Sequence, residues 1–209
     1  MMNVLSQLAS ALGRRDEVPN QELAADLVKR DDERSVKELI DNLQNKNKDI
    51  RSDCIKVLYE IAEQKPSLIS GYAKEFLALL SDRNNRLQWG AMTALDHISA
   101  ENPKFIYENL PVILDVADKG SVITKDHAVS ILIKLCGNKE YADDAFPLLI
   151  EQLITAPANQ LPKYAEDASH LARPENSSLF VKALSGRLKD MEKDTKRKRV
   201  EKVISKLSK

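Results

Sequence analysis

A period of 37 residues constrains this chain more than any other feature. The segment Ile50-Arg51-Ser52-Asp53-Cys54-Ile55-Lys56-Val57-Leu58 recurs 37 positions later as Leu87-Gln88-Trp89-Gly90-Ala91-Met92-Thr93-Ala94-Leu95. A second step of 37 reaches Thr124 to Leu132, a third reaches Leu161 to Ser169, and a last step of 35 reaches Val200. At the small apolar position the series reads Cys54, Ala91, Ala128, Ala165, Val200, and three residues on it reads Val57, Ala94, Ile131, Ala168, Val203. Apolar residues at i, i+3, i+4 and i+7 mark one stripe of an amphipathic helix, and this stripe recurs in phase with the repeat.

A second periodic set lies between these helices: Leu39, Ile40 and Leu43, then Phe76, Leu77 and Leu80, then Ile113 and Leu114, then Leu149, Ile150 and Leu153, then Val181, Leu184 and Leu188. Each repeat is therefore predicted to be a helical hairpin. Pro66 and Pro103 fall where the first helix of a pair starts, a place where a missing N–H costs little. Ser81-Asp82 and Asp118-Lys119-Gly120 fall at the tight links. A hairpin cannot bury both faces of its own stripe, so neighbours must stack into one continuous core. The expected fold is an all-α, right-handed α-solenoid of about five hairpins. Composition agrees: 43% hydrophobic against 5% aromatic residues dictates an aliphatic core, and six glycines with eight prolines are too few for a turn-dense β fold.

The expected organisation is a single solenoid domain over 1–209. An N-terminal helical cap occupies 1–30, with stripes at Val4, Leu5, Leu8, Ala11, Leu12 and at Leu23, Ala24, Leu27, Val28; hairpins occupy 31–192, and a basic capping helix 193–209. No apolar run approaches the ~18 residues of a membrane span, and no basic-then-apolar leader is visible, so a cytoplasmic protein is expected.

Several chemistries are excluded by spacing. No two of the six glycines are closer than seventeen residues, so no phosphate-cradling glycine loop exists. His97, His127 and His170 are at least thirty residues apart, and Cys54 and Cys136 stand alone, which removes the usual zinc motifs. No Gly-x-Ser-x-Gly elbow occurs. No metal, cofactor or catalytic residue is expected. Asp31-Asp32-Glu33 and Asp143-Asp144 sit at helix starts, where capping and the macrodipole account for them. The net charge is zero but uneven, since residues 182–209 carry +7 and the rest −7, which argues against a nucleic-acid-coating body.

The pattern of Ile50-Arg51 with Cys54, Val57 and Leu58 resembles the second helix of HEAT repeats, and Pro111 and Pro147 resemble the first-helix proline of that HEAT/armadillo-like family. The resemblance covers roughly residues 31 to 209. It departs at the family's polar ladder: Asp49 and Arg51 represent it once, and Gln88, Lys125 and Pro162 stand at the later equivalents of Arg51.

The resemblance implies that second helices line a concave surface that binds a protein or peptide. Opposite the buried stripe lie Ser52, Lys56 and Tyr59, then Trp89, Thr93 and Asp96, then Asp126, Ser130 and Ile133, then Lys163, Asp167 and His170. Trp89, the only tryptophan, is the natural anchor, with Tyr59, Lys56, Asp96, Asp126, Lys163 and His170 as its expected companions. The expected role is a non-enzymatic, monomeric interaction scaffold. The alternative is a nucleic-acid-directed enzyme similar to HEAT-like DNA glycosylases, in which Trp89 would stack on DNA and Asp96 or Asp126 would stabilise the sugar cation. A weaker anion-binding patch is expected at Lys196, Arg197, Lys198, Arg199 and Lys202 on the last helix.

Overall fold

The computed structural model describes residues 3–208, and among them every regular element is helical. The chain divides into two compact units, one running up to Ala128 and one from Val129 onward.

In the first unit a short 3-10 turn, Val4–Gln7, precedes α1 (Val18–Arg30), α2 (Glu33–Asp41), α3 (Lys48–Gln64), α4 (Ala73–Leu79), α5 (Asn85–Ile98), α6 (Pro103–Glu108) and α7 (Leu110–Lys119). The next helix, α8 (Val122–Cys136), begins in this unit and continues into the second. Helix starts repeat with the sequence. Asn47 Oδ1 accepts from the Asp49 amide at 2.9 Å, Asn84 Oδ1 from Arg86 at 3.0 Å, and Ser121 Oγ from Thr124 at 3.3 Å, each 37 residues after the last. Asp32 caps α2 through the Ser35 amide at 3.0 Å, and Asp143 and Asp144 fall in the first turn of α9 (Ala142–Thr155).

One rung of the polar ladder persists in function although its residue type changes. Arg51 Nε donates to the Leu43 carbonyl at 2.7 Å, and Gln88 Nε2 donates to the Leu80 carbonyl at 2.9 Å, the same contact one repeat on. Both tie the second helix to the carbonyl end of the first, which helix geometry leaves unpaired. First helices are interrupted more than the apolar pattern predicts. Pro66–Leu68 and Ser70–Tyr72 form 3-10 turns before α4, and α6 stops at Glu108 because Pro111 opens a new helix.

Second helices pack on second helices: α3 lies against α5, and α1 lies against α3 in the same way. Residues 18–30 thus take the place of a second helix although their sequence does not show the period. Two glycines permit close approach. A Cβ on Gly90 would sit 2.7 Å from Ile55 Cγ1, and one on Gly120 would sit 2.6 Å from the Val116 carbonyl oxygen. Because Ile55 is branched and fully buried, Gly90→Ala should cost about 1–3 kcal/mol as overpacking. A denaturation midpoint at or above wild type would show that α3 and α5 separate freely.

The second unit contains α9, α10 (Leu161–Ala168), α11 (Ser177–Arg187) and α12 (Asp194–Leu207). Here α9 packs on α11 and α10 on α12, again like on like. Arg187 serves the ladder's purpose from a different position, donating to the carbonyls of Leu153, Ile154 and Ala156. Pro147 lies within α9, the first helix of its pair. The thiols of Cys54 and Cys136 are buried and pushed up to about 12, which leaves them unreactive core residues. No helix among the described residues is long and apolar enough to cross a membrane.

Candidate functional site

Trp89 emerges half-buried from the first turns of α5. Its ring rests on Tyr59 of α3, centroid to centroid 5.5 Å and tilted 51°, an arrangement that braces it through the quadrupoles of both rings. Gly90 makes this possible by letting α3 approach within side-chain contact. Tyr59 is itself only 8% exposed and works as a support beneath the indole rather than as a second open contact. Iodide should therefore quench Trp89 fluorescence to an intermediate degree, and more strongly in Tyr59→Ala; complete protection in both proteins would place the indole in the core.

Two of the expected companions are likewise not open to a ligand. Lys56 is 4% exposed. Its Nζ lies 2.8 Å from Glu17 and 2.6 Å from Glu60, and 4.7 Å from the centroid of the Tyr59 ring. Burial opposes the charge on Lys56, but the hydrogen bonds to Glu17 and Glu60 outweigh it and hold the ammonium above the ordinary lysine range. Glu17 is correspondingly held below the usual carboxylate range, first by the hydrogen bond from Lys56 and against its own partial burial. Glu17 stands at the start of α1, so a residue outside the repeat covers this part of α3. Its second oxygen goes to Arg86, and because the carboxylate is shared, Arg86 Nε stays buried without a partner.

Asp96 is 5% exposed and turned inward. His127 of α8 holds it, with Nδ1 2.8 Å from Asp96 Oδ2 and Nε2 2.9 Å from Thr93 Oγ1. Thr93 Oγ1 also lies 2.9 Å from the Trp89 carbonyl oxygen. Despite its superficial likeness to a hydrolytic triad, this row is a tie between helices: Thr93 is 8% exposed and its hydroxyl is already engaged on both sides. His97 lies nearby, its ring centroid 6.4 Å from that of His127 and tilted 57° to it.

Asp126 is half-buried at the start of α8, and the exposed Val122 and Ile123 precede it. Beside Arg86, a cleft of about 510 Å³ is lined by Ser10, Arg14, Asp49 and Ser52 among others. Its floor is Asp53, whose carboxylate accepts from the Ser10 amide and Asn20 Nδ2, both at 2.8 Å. In the second unit Lys163 and His170 are exposed; Lys163 pairs with Asp167, and His170 Nδ1 lies 2.8 Å from the Asp167 carbonyl oxygen. Glu17, Arg86 and Asn20 were invisible to the repeat argument because none stands on the periodic stripe. His127 flanks the stripe, one position before Ala128.

Most of the basic set on α12 is occupied. Lys196 bonds Asn159, Arg197 Nη2 donates to the Met191 carbonyl at 2.8 Å, and Arg199 grips both oxygens of Glu166 at 2.8 and 2.6 Å. Lys198 and Lys202 are exposed.

No protein-family model matches this chain, and no curated protein matches it in sequence. Solved structures do match along its whole length. An engineered protein is similar with a TM-score of 0.62 at 18% identity, covering 99% of this chain and 97% of that one. A designed armadillo repeat protein in complex with the peptide (KR)4 is similar with a TM-score of 0.65 at 14% identity, covering 99% and 98%. A set of computationally designed armadillo repeat proteins for modular peptide recognition gives 0.63 at 15%, covering 98% of each chain. The fold is thus an all-helical, armadillo-like repeat solenoid, as the period implies.

Proposed function

We propose that this chain is a protein- or peptide-binding repeat scaffold whose partner is anchored by Trp89. The observation that carries this reading is a lone tryptophan left half-exposed on a second helix and propped there by Tyr59, whereas Phe76, Phe180 and Tyr164 are enclosed in the core. Exposing an indole costs free energy that a recognition role would recover. Similarity to scaffolds designed for peptide recognition supports the reading at the level of architecture. The polar contacts proposed around the indole are Arg86 and Asp126; Lys163 and His170 are proposed separately, as a contact surface of the second unit by itself. Lys56, Tyr59 and Asp96 act from beneath, holding the helices that present Trp89.

The glycosylase-like alternative needs an acidic residue facing a sugar and a basic groove. Asp96 is buried against His127, and Lys56 is neutralised by two carboxylates, so this reading keeps only Asp126 as its acidic residue and loses Lys56 from its groove. Affinity capture from native cell extract with wild type beside Trp89→Ala is the test. A partner retained by wild type and released by Trp89→Ala is expected; a partner set identical for both proteins removes Trp89 as the anchor.

A further inference from the structure

The second unit carries a basic run that the Trp89 reading leaves unused. Folding divides this run in two. Lys196, Arg197 and Arg199 are held by Asn159, the Met191 carbonyl and Glu166, although Arg199 itself is exposed and the Nε of Arg197 is buried without a partner. Lys198, Lys202 and Lys206 are exposed and make no ion pair or hydrogen bond among the described residues. Lys202 acts only through its charge on Glu166, both of whose oxygens Arg199 already holds.

The three free lysines are spaced four residues apart on a helix. Successive ammonium stems therefore rise by about 6 Å and drift by about 40° around the axis, forming one ridge. At about 100° per residue Asp194 stands at the N-terminal end of the same row and Glu201 on the far edge of the exposed face, so no carboxylate comes between the three lysines along the row. It has no exposed large apolar side chain with which to enter a bilayer, and no aromatic ring on which to stack bases. Its arginines, the residues best shaped for phosphate, are engaged within the fold. What remains is a row of cationic side chains whose attachment points on the helix are evenly spaced. In an extended peptide, side chains on one face recur every ~6.6 Å, close to the lysine interval.

We propose that the outer face of α12 docks an acidic partner segment in extended conformation, with carboxylates on alternate residues pairing in turn with Lys198, Lys202 and Lys206. This surface is independent of Trp89 and stands or falls separately from it.

The probe is a fluorescein-labelled (Glu-Gly)5 peptide, titrated with the full chain at low ionic strength and followed by anisotropy. Saturable binding is expected, weakening steeply as salt is raised, because exposed charge pairs are screened. Replacing all three lysines, Lys198→Gln, Lys202→Gln and Lys206→Gln, should weaken it roughly tenfold or more with the thermal midpoint unchanged. A (Glu-Gly-Gly)5 peptide, out of register, should bind several-fold more weakly. Lys202→Glu alone gives a second reading should the triple variant fold poorly, with a several-fold loss expected. The proposal is overturned by binding that persists in both variants, by equal affinity for the two spacings, by no binding at low salt, or by tighter binding of oligothymidylate or phosphatidylserine vesicles than of the peptide.

Discussion

Leu95→Ala will lower the denaturation midpoint by an amount equivalent to about 2–5 kcal/mol, the cost of deleting a fully enclosed leucine and leaving a cavity behind. Leu95 has 0% exposure and belongs to the stripe of Ala91, Ala94 and Ile98, all of them equally enclosed. Its helix packs on both α3 and α4, so the cavity would open at a junction of two repeats rather than inside one. In a stacked array each hairpin's stability includes its interface with the next, and a defect there is felt by both. Urea titration followed by circular dichroism measures the effect, with Leu12→Ala as its control. Leu12 is 55% exposed, and truncating it should change stability by no more than about 0.5 kcal/mol. Equal midpoints for the two variants would show that the 37-residue register has been assigned to the wrong face.

That register was readable because it is enforced by packing at every repeat. The small position at Cys54, Ala91, Ala128 and Ala165 is 0% exposed throughout, and the caps at Asn47, Asn84 and Ser121 follow the same interval. Gln88 shows why residue identity is a poorer guide than role. It lacks the charge of Arg51 yet reaches the equivalent carbonyl, since that contact requires only a donor of sufficient reach. The candidate site was less legible because its burial is decided by aperiodic contacts. An angular argument places Lys56 and Asp96 opposite the stripe and hence toward solvent. Glu17 then covers one from a segment with no repeat signal, and His127 draws the other inward from the next repeat. The same limit applies to the basic terminus. Six cations in a short run look equivalent in sequence, and only the positions of Asn159, Met191 and Glu166 distinguish those that hold the helix from those left on its surface.

Lys56→Met will destabilise the protein by about 2–3 kcal/mol, and a second substitution, Glu60→Leu, will restore part of the loss. A buried ion pair need not stabilise a fold relative to apolar residues of similar size, but removing one partner strands the other and commonly costs about 3–5 kcal/mol. The lower figure applies here because Glu17 is 42% exposed at its side chain and retains Arg86. Once Lys56 is gone, Glu17 can turn both oxygens to Arg86 and satisfy the Nε that is now unpaired. Glu60, at 17%, has no such recourse among its contacts with Lys56 and carries most of the penalty. Neutralising it in the double variant should therefore give a protein more stable than Lys56→Met, a coupling readable from a double-mutant cycle in urea. The pH dependence has a definite sign. Glu17 is held below the ordinary carboxylate range, so its contribution is present above the unfolded-state pKa and is lost as pH falls through its folded value. The gap between wild type and Lys56→Met should accordingly narrow in acid. A gap that widens there, or a double variant less stable than both singles, would mean that Lys56 supports the fold through its aliphatic stem against Tyr59 rather than through its charge.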